Sequence, residues 1–348
     1  MPLVSLMLLS FYRTFFSLIP GLLLVLSTTG WSMADPGPRY QLASHETPVA
    51  LLTAGRQTLL VTEHSVLQLS GRQFVCKYQS VAPIQCALTA DTAVWLGTRQ
   101  GAVRLSTRQF RAQAVALPGP AEKASVTAVC RDAAGGIWLG ALGYGVFRLA
   151  NGRMEKALSV PTVSAALVTA DSSVWIGSTL GLNRFQHEQW TRYNEEGVAN
   201  LEIPDNLVDK LLPDNTGNLW VIMSAGVSVF PGGGAAVPVE LPTTSFIGRP
   251  GNEVFSVACV PGAGRVFATA MGLLLLPDAP AGQFASFEPS VNDKVEQKRV
   301  LLPLVLPGTS ASNLPRLIQV DRQQRVWLVS SQEVRVISGK EFRRLVKS

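Results

Sequence analysis

The sequence predicts an all-β protein, a seven-bladed β-propeller of four-stranded antiparallel blades, and three observations predict it. First, the string VTAVCRDAAGGIWLGALGYGVFRL, beginning at Val126, recurs along the chain. Its clear relatives are IQCALTADTAVWLGTRQGAVRL from Ile84, VSAALVTADSSVWIGSTLGLNRF from Val163 and VDKLLPDNTGNLWVIMSAGVSVF from Val208. Weaker relatives are VALLTAGRQTLLVTEHSVLQL from Val49, VFSVACVPGAGRVFATAMGLLLLP from Val254 and LIQVDRQQRVWLVSSQEVRVI from Leu317. Second, the anchors Leu59, Trp95, Trp138, Trp175, Trp220, Phe267 and Trp327 lie 36, 43, 37, 45, 47 and 60 residues apart. Those intervals bracket the length of a four-stranded propeller blade. Third, within each unit short apolar runs alternate with Asp, Asn and Gly turns, which is the pattern of strands and hairpins.

Ahead of the repeats, residues 1 to 34 carry Arg13 as their only charge, then the apolar run FFSLIPGLLLVL, then Ser32-Met33-Ala34. This is a signal peptide pattern with a cut before Asp35, leaving a propeller domain over 35–348 in the periplasm or outside the cell. An uncleaved membrane anchor competes with it, favoured by MPLVSLMLL and opposed by Pro20 and Gly21, which break a spanning helix. Cys76, Cys86, Cys130 and Cys259 lack C-x-x-C or metal-ligand spacing. The last three fall in apolar strand segments and read as small buried hydrophobes. Cys76 with Cys86 is the locally plausible bridge.

The formal charge is +6, and +5 once Arg13 is removed. Lys340, Glu341, Arg343, Arg344 and Lys347 supply a net +3 of it, so the basicity is largely terminal rather than a groove that tracks phosphates. No nucleic acid is expected as a partner. A membrane is a partner only where the leader stays attached.

Each blade follows from its residues in order. The first strand is an apolar run, and the turn after it is Thr89-Ala90-Asp91, Asp132 to Gly136, Thr169-Ala170-Asp171 or Asp214 to Asn218. Asp and Asn bond their own backbone there and Gly accepts positive φ. Asp214 to Asn218 lacks the alternating ligands and terminal Glu of a calcium loop. The second strand carries Trp-aliphatic-Gly at Trp95, Trp138 and Trp175, which sets a ring and a missing side chain on one strand face. The ring packs on the adjoining blade where glycine allows close approach. These tryptophans, with Trp220 and Trp327, are core and not sugar-stacking platforms. Fourth strands are expected at RQFVCKY from Arg72, RQFRAQAV from Arg108, EQWTRYN from Glu188, GQFASFE from Gly282 and KEFRRLV from Lys340. That leaves RYQLASHE from Arg39 over, to clamp the first blade against the last and close the ring.

The pattern of aliphatic-x-x-aliphatic, a short Asp/Gly turn, aliphatic-Trp-aliphatic-Gly-Thr/Ser, then Gly-aliphatic-x-Arg/Phe resembles the two-component regulator propeller repeat. The resemblance covers about residues 49 to 346 and is strong over Ile84 to Phe230. It weakens where Phe267 replaces Trp and where the last unit lacks the Gly. It implies a periplasmic sensing propeller of the kind carried by membrane-bound histidine kinases, some of which respond to oligosaccharides. No immunoglobulin-like connector, membrane helix, phosphoacceptor His region or nucleotide-binding segment follows the seventh unit. The expectation is therefore a sensor that acts through a partner protein.

With the first strand of each blade innermost, the turns between second and third strands share one face with the interblade connections. Those connections are long before Val208, Val254 and Leu317, and long loops in compact folds are commonly functional. The turns present Glu63 with His64, Arg99 with Gln100, Tyr144, Thr179, Met271, and Gln332 with Glu333. Such variety around a funnel suits a small polar ligand or oligosaccharide. Ordinary solvent-facing turns are the bland alternative. An enzyme needs a nucleophile with a base, or a lyase-type Tyr or His with a charge neutraliser. His45, His64 and His187 are the only histidines, and no spacing demands that His64, Tyr144 and Arg99 cooperate. The expectation is a noncatalytic ligand-binding or protein-binding module with no metal and no cofactor. An assembly scaffold and a polysaccharide lyase are the alternatives.

Overall fold

The computed structural model describes residues 37–196, 201–224, 226–234, 239–240, 253–277 and 301–347. The expected leader, residues 1–34, lies outside them. Seven sheets form a propeller, with blades at 48–79, 84–115, 126–158, 165–202, 208–240, 254–304 and 317–338. Neighbouring strands within blades one to six are consecutive in sequence, an antiparallel meander, and in blade seven the same holds for its three inner strands. Blade four adds a short parallel strand, Leu201–Glu202. The first strands touch one another all the way round, blade seven meeting blade one, so they line the axis and the ring is closed.

Each seam between adjacent blades holds its own apolar cluster. Trp138 of blade three packs on Phe185 of blade four at 5.3 Å between centroids, Trp175 on Phe230 of blade five at 4.6 Å, and Trp220 edge-on to Phe267 of blade six at 5.1 Å. These three indoles are 1%, 0% and 1% exposed, as the strand context predicts. The glycines two residues beyond Trp95, Trp138 and Trp175 are needed for the same reason. A methyl at Gly97, Gly140 or Gly177 would overlap Val126, Val163 or Val208, at the entry to the next blade.

The Asp turns do more than reverse the chain. Asp132 accepts from the Trp138 indole N–H at 2.8 Å and from Arg148 Nε at 2.8 Å. Asp214 takes the Trp220 indole at 3.0 Å, and Asp321 the Trp327 indole at 2.9 Å. In blade four Thr169 takes the Trp175 indole at 3.0 Å, while Asp171 holds Arg184 at 2.6 Å. The arginines also lie over the indole rings, 5.0 to 5.9 Å from the centroids. Asp214 meets its arginine, Arg265, from blade six. Blade two departs from the device. Asp91 sits at φ 52 and turns to Arg131 of blade three, 2.8 Å away, so Trp95 keeps its burial but finds no acceptor among the described residues.

Three expectations need correction. KEFRRLV is not a strand: Gly339–Lys347 is a helix whose Phe342 and Leu345 bury into the seam of blades six and seven. The edge it would have occupied is taken by Arg39–Gln41, which pairs antiparallel with Glu333–Ser338 and is the fourth strand of blade seven. This segment also reaches blade one, Tyr40 meeting Phe74 edge-on at 5.8 Å, so the expected clamp is present. Second, in RQFRAQAV only Ala112–Val115 is strand, Phe110 lying in the preceding turn at φ 53. GQFASFE lies outside the described residues, and the fourth strand of blade six is Leu302–Leu304. Third, Cys76 and Cys86 are both free. Cys76 is on the exposed outermost strand and Cys86 on an innermost one, so a bridge would have to span the blade. Burial pushes the Cys86 thiol up to about 12, against one backbone hydrogen bond that lowers it.

Candidate functional site

On one face of the disc the backbone is held in place in blades one, two, three and six. The turn between second and third strands bonds to the residue leading into the first strand: Glu63 N–H to Thr47 O at 2.9 Å, Arg99 to Pro83 at 3.0 Å, Leu142 to Ser125 at 2.9 Å, Ala270 to Glu253 at 2.9 Å. A hydroxyl at the end of the second strand fixes the same turn. Thr98, Ser178 and Thr269 each donate at 2.9 Å to the carbonyl of Gly101, Gly181 and Gly272. This is the physical meaning of the Gly-Thr/Ser ending in the repeat. The side chains on these turns are thus carried by rigid supports, as a recognition surface requires.

The structure places the sequence-predicted residues one turn per blade around this face. Glu63 and His64 are in blade one, Arg99 and Gln100 in blade two, Tyr144 in blade three, Thr179 in blade four, Met271 in blade six, and Gln332 with Glu333 in blade seven. They ring the face rather than converge. Among the described residues no hydrogen bond or ion pair joins His64, Arg99 and Tyr144. Some are partly engaged already. Thr179 shares a hydroxyl contact of 2.6 Å with Thr162, and Glu333 is held by Gln41 at 3.4 Å and Arg39 at 3.8 Å. Glu333 therefore serves ring closure. The His64 turn is secured by Glu46, which accepts the His64 N–H and the Ser65 hydroxyl at 3.1 Å each. Met271, 66% exposed, lines an apolar cavity of about 300 Å³ with Leu273, Leu304 and Leu314. His187 falls on the opposite face, in the turn between third and fourth strands.

A second, inner circle of residues escapes the sequence reading. The first strands of blades one, two, three, five and six break register just after their opening residue, between Pro48 and Ala50, Ile84 and Cys86, Val126 and Ala128, Val208 and Lys210, and Val254 and Ser256. A bulge re-aims the extra side chain. Here those residues are Val49, Gln85, Thr127, Asp209 and Phe255, with Ser164 and Arg316 at the matching places in blades four and seven. They stand at the mouth of the axial channel. Several tie one blade to the next: Ser125 Oγ donates to Gln85 at 2.6 Å, and Thr127 and Ser164 donate to the Val163 and Val208 carbonyls. The available signal was variability, because this position changes chemistry in every repeat while the residue before it stays Val, Ile or Pro.

The mouth over blades five to seven is the most charged part of this circle. Lys210 Nζ lies 5.1 Å from the centroid of the Phe255 ring, and Arg316 Cζ lies 3.9 Å from it. Burial and then the Arg316 charge push Lys210 below its ordinary value, against Asp209 and Glu253. Burial pushes Asp209 up, its hydroxyl partner Ser224 at 3.3 Å opposing.

No protein-family model and no curated protein sequence matches the chain. Solved structures share its fold. The extracellular domain of the hybrid two-component system protein BT4673 from B. thetaiotaomicron is similar with a TM-score of 0.62 at 16% identity, over 87% of this chain and 40% of that one. Virginiamycin B lyase from Staphylococcus aureus gives 0.60 at 13%, over 86% and 98%. YCF48 from Cyanidioschyzon merolae gives 0.58 at 10%, over 87% and 99%. At these identities the likeness is one of architecture.

Proposed function

We propose that this chain is a noncatalytic binding propeller that works outside the cytoplasm, takes a polar ligand or a partner protein on the face bearing the second-to-third-strand turns, and passes that state to a partner. One observation carries the reading. Residues that repeat from blade to blade, the Trp, Asp, Arg and Gly sets, are consumed in holding the ring, whereas residues that differ stand on that one face on pinned backbone. The leader pattern and the likeness to extracellular domains support the location. A neighbouring fold is recorded with a bound D1 peptide, which favours an assembly scaffold as the second reading. The test is a thermal-shift screen of the full chain against neutral and acidic oligosaccharides and acidic peptides, since a ligand of the folded state raises its melting temperature. Combined Glu63→Ala, Arg99→Ala and Tyr144→Ala is expected to abolish the shift and leave unliganded melting unchanged. A shift that survives these changes, or a variant that no longer folds, overturns the assignment of this face.

A further inference from the structure

Two cations meet on one phenyl ring at the channel mouth with no carboxylate paired to either. Lys210 comes from the first strand of blade five, Phe255 from blade six and Arg316 from the approach to blade seven, so both neighbouring blades deliver positive charge to the blade between them. Among the described residues neither cation makes an ion pair or a side-chain hydrogen bond. Partly buried charges are ordinarily paired, and here the Arg316 charge acts against that of Lys210. The seam beneath them is locked by Ser256, whose Oγ accepts the Ile318 N–H at 2.7 Å and donates to the Arg316 carbonyl at 3.2 Å.

We infer that Lys210, Arg316 and Phe255 form a carboxylate-binding site for a hydroxylated carboxylic acid, the chemistry of a sugar acid. The inference rests on the proposed binding role of this face and names the ligand class for it. Arg316 offers a planar fork that matches a carboxylate, and Lys210 adds a point charge from the other side. The Phe255 ring shields both from water. Asp209 and Glu253 flank the cations closely enough to act on Lys210. They repel polyanions and accept hydrogen bonds from hydroxyl groups, so the fitting ligand has one carboxylate and donors around it. Gln85, Thr127 and Ser164 complete the mouth with neutral polar groups.

The experiment is calorimetric titration of the full chain with D-galacturonate, D-galactose and sulfate, repeated with Lys210→Met, Arg316→Gln and Arg316→Lys. Galacturonate is expected to bind at least ten-fold more tightly than galactose or sulfate. Each neutralising substitution is expected to weaken it at least ten-fold, and Arg316→Lys less than Arg316→Gln. Near-ultraviolet circular dichroism confirms that the variants fold. Absence of galacturonate binding, equal binding of galactose, equal binding of sulfate, or indifference to both neutralising changes overturns the site. Tight binding of an oligosaccharide that responds to Glu63, Arg99 and Tyr144 but ignores Lys210 and Arg316 sinks this inference and spares the proposed function. The reverse dependence spares the site and sinks the outer ring.

Discussion

Asp214 shows how one residue carries several loads in this fold. It accepts the backbone N–H groups of Thr216 and Asn218 at 2.9 and 3.1 Å, the Trp220 indole at 3.0 Å, and Arg265 of the next blade at 3.3 Å. Burial alone would raise its pKa, but the bonds from Thr216, Trp220 and Asn218 outweigh burial and hold it below the ordinary 3.8. Its side chain is fully covered, so Asp214→Ala strands the Trp220 indole N–H and removes the Arg265 ion pair, and is expected to cost about 3–5 kcal/mol in denaturant unfolding. Because the folded pKa is depressed, this stability is complete above the unfolded value and is lost as pH falls through the folded one. The variant should therefore show a shallower acid-side slope than the wild type below about pH 4. Much of the device was legible. Aspartate stands six residues before tryptophan at Asp132, Asp214 and Asp321, a spacing the turn reading passes over because turn chemistry already explains the aspartate. Blade two has the triplet Thr89-Ala90-Asp91 that blade four repeats at Thr169, yet only blade four completes the bonds. Blade four has Ser173 two residues before its tryptophan, bonded to Asp171 and Arg184, where blade two has Ala93, and Asp91 itself sits at positive φ.

At the scale of elements, the strands with Trp-aliphatic-Gly are read correctly because a buried ring and a glycine have one packing solution between blades. The last element misleads for an opposite reason. KEFRRLV has its aromatic where true fourth strands have theirs, and nothing local says that Arg39–Gln41, almost three hundred residues earlier, has filled the edge. Freed from the sheet, the segment follows its helical spacing, with Phe342, Leu345 and Val346 on one side and Lys340, Arg344 and Lys347 on the other. Glu341 opens the helix and pairs with Arg344 at 2.9 Å, while basic residues close it. Arg343 reaches the Pro261 carbonyl at 3.0 Å and fastens the helix to blade six. Phe342→Ala is expected to cost about 3–5 kcal/mol by thermal or denaturant unfolding, as for a fully buried ring. Lys347→Ala is expected to stay within about 0.5 kcal/mol. Equal small effects would place the segment on the surface instead. The inner circle of site residues was illegible for an element-scale reason too. The bulge after the opening residue shifts which side chains face the mouth, and the variability at that position points to the mouth only once the register is known.

The whole molecule depends on how its ends meet. Stacked blades stabilise one another through their seams, so an open ring would leave two half-covered blades and two free sheet edges. Here the N-terminal strand lies on the last blade while its Tyr40 packs on the first, and Leu42 joins Leu60, Leu67, Trp327 and Val334 in one cluster. The pairing of Arg39 with Arg335 is the longest-range contact of the sheets, and contacts of that separation form late. Closure should therefore be a distinct, local contribution. Tyr40→Pro removes a backbone donor from this pairing and the ring that packs on Phe74, and is expected to weaken the closing seam. Hydrogen exchange should then rise at residues 59–67 and 327–336, on the two sides of the closing seam, with little change at the Trp138 and Trp175 seams. Uniform acceleration around the ring would mean that the blades open together and that the N-terminal strand has no special role. Unchanged exchange would mean that the seam holds without it.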